Sequence, residues 1–481
     1  MTHACRASQA ILYPFKGVCM TTSTTTNATT QPSHWTRETA ARIQASSTNT
    51  FPPFNLAKVL PLMPGYHVWD SWFVMTEAGQ IASVKGFKVL IALVRPVEDN
   101  ESANARIAYF YSADGEHYTP GGFLFESKLY DDCQEWSGST VLRDDGRLQT
   151  FYTLAQSVEL NGNWQTRQRF ATALQPLSST GGKLIISAPT YHDVLAEPDG
   201  VYYETAEQAS LRESHYPTAH DRSLGSDQSE NSCFRDPHKY VDPHTGKHYL
   251  LFEANTATAL CPAGSVKRDY IGSNDFEPDY QPTIDDLKAN GCVGVLELQD
   301  EDCTHGEFLP PWLTANLVTD EIERINIIDH DDHVYLFVVG HGNKNTLVTH
   351  YPALSNRDYL LGFRADHFLG SLTPLNDSGV VVQQKSLGAP YQGQEQNTQY
   401  VYSWMLIPTH NPDVFDCISY ANYSFDTATG QSKAVKTAGP TVQVWLKGLE
   451  SRVVGMKYTI LPLPDSAEKS TRDSMESITT A

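Results

Sequence analysis

Residues 66–75 read YHVWDSWFVM, and the fold class turns on this stretch. Aromatic and β-branched side chains dominate it, and its length is that of a strand. The same texture recurs in FKVLIALV (87–94), ARIAYFYS (105–112), HYLLFEAN (248–255), CVGVLEL (292–298), HVYLFVVG (333–340), VYSWMLIP (401–408) and VQVWLKG (442–448). Turn chemistry such as Asp144-Asp145-Gly146 and Pro243-His244-Thr245-Gly246 separates many of these runs. Long amphipathic windows are scarce, and Thr36–Ser46 and Asp285–Asn290 are the best helix candidates. Many short antiparallel strands predict an all-β sandwich, barrel or propeller. No blade-length repeat selects among the three.

The 481 residues exceed what one ordinary core organises, yet a single large all-β domain remains open. With 40% apolar and 19% charged residues the chain is globular in composition. Its 24 Tyr, 19 Phe and 8 Trp exceed common usage, and surplus Trp and Tyr suit stacking on flat ligands such as sugar rings. A net charge of −21 repels nucleic acid and anionic lipid, so neither is an expected partner. No apolar run nears the roughly 20 residues that span a bilayer; Val89–Val94 and Val334–Val339 are strand-sized. The N-terminus lacks a recognisable standard secretory signal, and Met20 offers a second plausible start. Residues 1–50, Thr/Ser/Asn-rich from residue 20, read as a flexible extension, 51–464 as one catalytic unit, and 465–481 as a polar tail. Eight cysteines without CxxC spacing favour free buried thiols over a disulfide framework or zinc site, although Cys292 and Cys303 could pair across a hairpin.

Three acidic positions lie where a carboxylate is expensive. Asp70 sits in Val68-Trp69-Asp70-Ser71-Trp72, as a structural or a functional aspartate. Asp236, in Phe234-Arg235-Asp236-Pro237, reads as an extended corner before proline, and as a lone signal it fits a salt-bridged turn. In Asp320-Glu321-Ile322-Glu323-Arg324, strand alternation sends Glu321 and Glu323 to one face. Their mutual repulsion would raise a pKa and create a general acid, unless the run is a solvated strand end. Together the three fit retaining glycoside chemistry, which needs a carboxylate nucleophile and a carboxylic acid about 5–5.5 Å apart.

The ordered series VWDSW, EWSGS, FRDP, LFEANT and TDEIER resembles the bacterial levansucrase-type fructosyltransferases, relatives of the invertases, from about Pro64 to Lys447. The resemblance implies a single five-bladed β-propeller with the active site in an axial funnel. By the same likeness Asp70 is the nucleophile, Glu323 the acid/base and Asp236 the transition-state stabiliser, with Ser137 orienting the nucleophile. Trp69, Trp136, Arg235, Glu321 and Tyr402 match substrate-contacting positions. His341, in Gly340-His341-Gly342, stands where Gram-positive members carry Arg and Gram-negative members often carry His, a place associated with acceptor choice. The implied activity is transfer of fructosyl units from sucrose to fructan or sugar acceptors, by a monomer outside the cell or in the periplasm. A sucrose hydrolase of the same family shares these carboxylates, and a non-catalytic fructan-binding propeller is the remote alternative.

No cofactor is expected. Some Gram-positive members hold a structural calcium, and Asn290 and Asp320 match two ligand positions. The segment after LFEANT runs Ala257-Thr258-Ala259-Leu260-Cys261 without the matching Gln, which leaves the oxygen shell incomplete. The cluster Asp329-His330-Asp331-Asp332-His333 reads as a polar hairpin turn, not a metal site. Gly340-His341-Gly342-Asn343-Lys344 has no strand-to-helix context for a phosphate loop, and no GxSxG supports a serine nucleophile.

Overall fold

The computed structural model describes residues 18–19, 31–99, 104–215, 232–257, 266–272, 288–349, 351, 354, 357–385, 400–422, 424–426, 429, 431–433 and 435–462. The chain is all-β, and each run singled out in the sequence lies in a strand. The strands form five antiparallel meanders. The first comprises Tyr66–Thr76, Lys88–Pro96, Arg106–Ser112 and His117–Phe123; the second Gln134–Leu142, Leu148–Leu160, Asn163–Gln175 and Tyr191–Ala196. Phe234–Val241, His248–Asn255, Gly291–Leu298 and Gly306–Thr314 make the third. The fourth runs Glu323–His330, His333–His341 and Arg357–Ala365, with Val380–Lys385 beside the last of these. Val401–Pro408, Val414–Ala421, Thr441–Lys447 and Glu450–Lys457 make the fifth.

The first strands of successive meanders lie side by side, and that of the fifth returns beside that of the first. Parallel pairing of Val74–Thr76 with Thr140–Leu142 fuses meanders one and two into a nine-stranded sheet. Leu461–Pro462, near the end of the chain, pairs in parallel with His117–Tyr118 and ties the last segment to the first meander. Apolar layers fill the space between neighbouring sheets, so a strand such as Lys88–Pro96 buries consecutive residues Val89–Val94 on both faces. Sheets that are covered on both sides explain why these runs are continuous rather than alternating.

Several local expectations shift. The helix expected over Thr36–Ser46 is one turn, Arg37–Ala40, capped by the Thr36 hydroxyl, which accepts from the Thr39 N–H at 3.2 Å. Trp35, Ala40 and Ile43 then enter the apolar layer of meanders three and four, and Ser33–His34 pairs with Leu313–Thr314. The described part of the N-terminal extension is therefore packed against the sheets. Its residues 1–17 and 20–30, the tail 465–481 and residues 285–287 of the second helix candidate lie outside the described residues. The hairpin expected at 329–333 is present, turning at Asp331 and Asp332 with φ of 51° and 59°. Cys133, Cys292, Cys303 and Cys417 are free thiols and buried, and Cys233 is buried as well. No helix among the described residues is long and apolar enough to cross a membrane.

Candidate active site

Each of the five first strands breaks register with its neighbour. The breaks fall between Val68 and Ser71, Trp136 and Gly138, Arg235 and His238, Glu323 and Asn326, and Tyr402 and Met405. A bulge bends the strand and re-aims its side chains. The residues thrown out of register include Asp70, Ser137, Asp236 and Glu323's neighbour Arg324. Asp236, Arg324 and Ser403 take left-handed φ of 58°, 54° and 59°. Asp236 is thus a left-handed bulge and not the extended corner that Pro237 suggested. Gly138 permits the second break, because a Cβ there would stand 1.9 Å from the Phe151 carbonyl oxygen.

The bulges converge on one cavity of about 310 Å³. Trp69, Asp70, Trp136, Ser137, Arg235, Asp236 and Glu323 line it, joined by His67, Arg95, Gln134 and Lys436. Glu321, His341 and Tyr402 stand against Glu323, the first two with ligand atoms within 4.8 Å of its carboxylate. All ten residues singled out by the sequence therefore meet. Glu321 reaches its place from a loop, because the strand begins only at Glu323.

Asp70 and Asp236 share the Ser137 hydroxyl, which donates to Asp236 and lies 3.4 Å from Asp70 Oδ2. One hydroxyl carries one proton, so Asp236 takes it and Asp70 keeps its lone pairs for the cavity. Asp236 is also held by the Arg324 N–H at 3.1 Å, while its own N–H donates to Thr153 Oγ1 at 3.0 Å. Its carboxylate is buried and fixed on both oxygens.

Glu323 has the opposite setting. Arg235 Nη2 donates to one oxygen at 2.9 Å and the Tyr402 hydroxyl to the other. Burial, then the charge of Glu321, push its pKa well above the ordinary carboxylate value against the pull of Arg235, and Glu253 adds to the rise. Glu253 is fully buried and grips Arg235 through Nε at 2.6 Å and Nη2 at 3.3 Å. Its own pKa rises to about 8 through burial, despite Arg235. Sequence reasoning missed Glu253, although it stands in the quoted LFEANT run as an acid within apolar neighbours.

His341 ends the strand His333–His341, and its backbone N–H donates to Glu321 Oε1 at 2.9 Å. Its Nδ1 ion-pairs with Asp358 at 2.9 Å, and its ring stacks on Tyr402 at 4.1 Å. Burial alone would lower its pKa, but Glu321 and Asp358 hold it up to about 10. That rise favours the imidazolium form, a donor from both nitrogens.

Asn290 and Asp320, the two candidate calcium ligands, each face groups of the chain itself. The Asn290 amide oxygen accepts from Asn255 at 3.0 Å and its nitrogen donates to Glu204 at 3.2 Å. Buried Asp320 faces the equally buried ammonium of Lys344 at 3.8 Å, a cation supplied by the chain itself.

An all-β scaffold that gathers carboxylates, tryptophans and an arginine in one cavity defines a protein of the glycoside hydrolase type. The chain belongs to the levansucrase/invertase family, whose sequence profile matches residues 24–459. It is 30% identical over 434 residues to an extracellular sucrase of Zymomonas mobilis, covering 87% of this chain and 92% of that one. A levansucrase of Bacillus amyloliquefaciens is 29% identical, with 88% of each chain covered. Among solved structures, Bacillus subtilis levansucrase superposes with a TM-score of 0.74 at 26% identity, covering 90% of this chain and 97% of that one.

Proposed function

We propose that the protein is a levansucrase-type fructosyltransferase that cleaves sucrose by retaining double displacement. The observation that carries this reading is the contrast between two carboxyl groups on one cavity. Asp70 is lightly partnered, whereas Glu323 is half-buried beside other acids that raise its pKa. Asp70 attacks the anomeric carbon of the fructosyl unit as Glu323 donates its proton to the bridging oxygen and glucose leaves. Glu323, now ionised, takes the proton of an acceptor hydroxyl, which attacks the fructosyl-enzyme and frees Asp70. Asp236, pinned by Ser137 and Arg324, presents fixed charge to the fructosyl unit as positive charge develops. Trp69 and Trp136 supply ring faces, and Arg235 holds Glu323 in position. Glu321, His341 and Tyr402 border the side where glucose departs and the acceptor enters.

In this reading the five meanders are the blades of a five-bladed propeller and the cavity lies on its axis. The enzyme acts as a monomer outside the cell or in the periplasm, makes levan or fructo-oligosaccharides, and needs no metal. Its acidic surface gives it no nucleic-acid or membrane partner. The 30% identity to an extracellular sucrase favours a second reading, in which water is the main acceptor. Chromatography of products from concentrated sucrose separates the two. Glucose in excess over free fructose, with oligomers or polymer, is the expected result; equal release of both sugars throughout would establish the hydrolase.

A further inference from the structure

The cavity wall beside Asp70 carries more positive charge than cleavage of a neutral sugar requires. Arg95, on the strand Lys88–Pro96 and paired across the sheet with His67, lines the cavity. Among the described residues its guanidinium has no hydrogen bond or ion pair, and its Nε is buried without a partner. Lys436 joins from the segment before the strand Thr437–Ala438, its backbone N–H donating to His67 Nδ1 at 3.3 Å. Its Nζ stands 5.6 Å from the Trp69 ring centroid and 5.2 Å from that of Tyr420, with no ion-paired carboxylate among the described residues. Burial holds the Lys436 pKa below that of an ordinary lysine even though Asp70 pulls it up.

Unpaired cations in a cavity wall are costly unless a ligand completes them. This chain has 56 acidic residues against 35 basic ones, so carboxylates to pair them are not scarce. Within the lining, Arg95, Arg235 and Lys436 already match Asp70, Asp236 and Glu323 in number. Arg235 is committed to Glu253 and Glu323, which leaves Arg95 and Lys436 for something else.

Their position says which part of a substrate they meet. In the proposed mechanism Glu323, on the fourth meander, marks the leaving-group side, and Arg235 pairs with it. Arg95, Lys436 and Trp69 come from the first and fifth meanders, that of Asp70 and its neighbour. We propose that this wall binds an anionic substituent on the fructosyl unit, a phosphomonoester, so that the enzyme accepts phosphorylated fructosides as donors besides sucrose. A guanidinium with free donors can meet a phosphate in a bidentate fork, and an ammonium adds a point charge. The assignment of the fructosyl side rests on Asp70 as the nucleophile.

The test is calorimetric titration of the intact protein with fructose 6-phosphate, fructose and inorganic phosphate at low ionic strength. Fructose 6-phosphate should bind about tenfold or more tighter than fructose. Arg95→Gln and Lys436→Gln should each reduce that preference and the double variant should abolish it, while Arg95→Lys keeps part. Equal binding of the two sugars, or a preference that survives in the folded double variant, would overturn the proposal. So would inorganic phosphate binding as tightly as the sugar phosphate, since the wall would then be a site for free anions. A wild-type protein that prefers the phosphate ester yet leaves sucrose intact would sink the proposed function and the use of phosphorylated donors, and leave only the anion-binding wall standing.

Discussion

The two walls of the cavity are built on opposite principles. On the side of the third and fourth meanders the charged groups form a chain of pairs: Glu253 with Arg235, Arg235 with Glu323, Glu321 with the His341 backbone, His341 with Asp358. On the side of the first and fifth, Asp70 has one distant hydroxyl, and Arg95 and Lys436 have no ion pair among the described residues. In the proposed mechanism the difference follows from what each wall must do. An acid that works at neutral pH has to be tuned, and burial beside like charge raises its carboxyl pKa. A nucleophile needs free lone pairs and a fixed direction, which a bulge provides more cheaply than a network.

The contrast breaks outright if the sparse wall is not the nucleophilic one. Asp70→Asn should cut sucrose turnover by about 10⁴-fold or more, the scale seen when a covalent nucleophile is removed. Burst-phase mass spectrometry should then detect no fructosyl-enzyme. Near-normal turnover of the purified variant would dismiss the assignment.

The dense wall is tested next. Glu323→Gln should lose about 10²–10⁴-fold on sucrose, the usual share of general acid help. The loss should be far smaller on a fructoside whose leaving group needs no proton, and equal losses on both would make Glu323 structural. Glu253→Gln sharpens the same point through pH. Glu323 must hold its proton to act, so kcat falls as pH rises through its raised pKa. Removing Glu253 deletes one of the charges that raise that pKa and frees Arg235 to lower it further. The alkaline limb of the kcat profile should therefore move to lower pH. An unmoved limb, at whatever activity, would mean that Glu253 only packs.

These walls were unequally legible in the sequence. The strands were plain because sheets covered on both faces select continuous apolar runs, as in Val89–Val94. The ten site residues were reachable because their motifs carry a family resemblance, and Glu321 and Glu323 were paired correctly by alternation for the wrong reason, one being in a loop. The bulges were not legible: a left-handed Asp236 has no local signature, and Pro237 even argued against it. Glu253, Arg95 and Lys436 were missed because their meaning lies in partners, or the lack of them, across separate strands. The capping threonine at Thr36 marked where a helix starts, but burial of Trp35 and Ile43 decided where it stops.

A smaller effect is expected where the dense wall faces the acceptor. His341→Ala should leave sucrose cleavage within a few-fold while shifting partition toward hydrolysis and shorter products by a few-fold to about tenfold, the worth of one hydrogen bond. His341→Arg keeps a cation for buried Asp358 and should restore transfer. The check is glucose release and polymer yield measured side by side, and an unchanged ratio in the Ala variant would confine His341 to holding the strand end.

The smallest expected effect is none, and it comes from the layer behind the dense wall. A divalent cation near Asp320 would have to displace the Lys344 ammonium, which is buried and cannot swing into water without unpacking its loop. Asn290, the other candidate ligand, has its amide oxygen on Asn255 and its nitrogen on Glu204. In the proposed reading the Lys344 ammonium, attached to the chain, serves as the counter-charge of Asp320 in place of an ion from solution. Exhaustive EDTA treatment should change neither turnover nor the midpoint of thermal unfolding. Lys344→Met supplies the matching control: it removes the ammonium that Asp320 faces, and breaking a buried pair by removing one partner costs about 3–5 kcal/mol. The unfolding midpoint of that variant should fall. Loss of wild-type activity on chelation, restored by calcium, would show that Lys344 does not stand in for a metal.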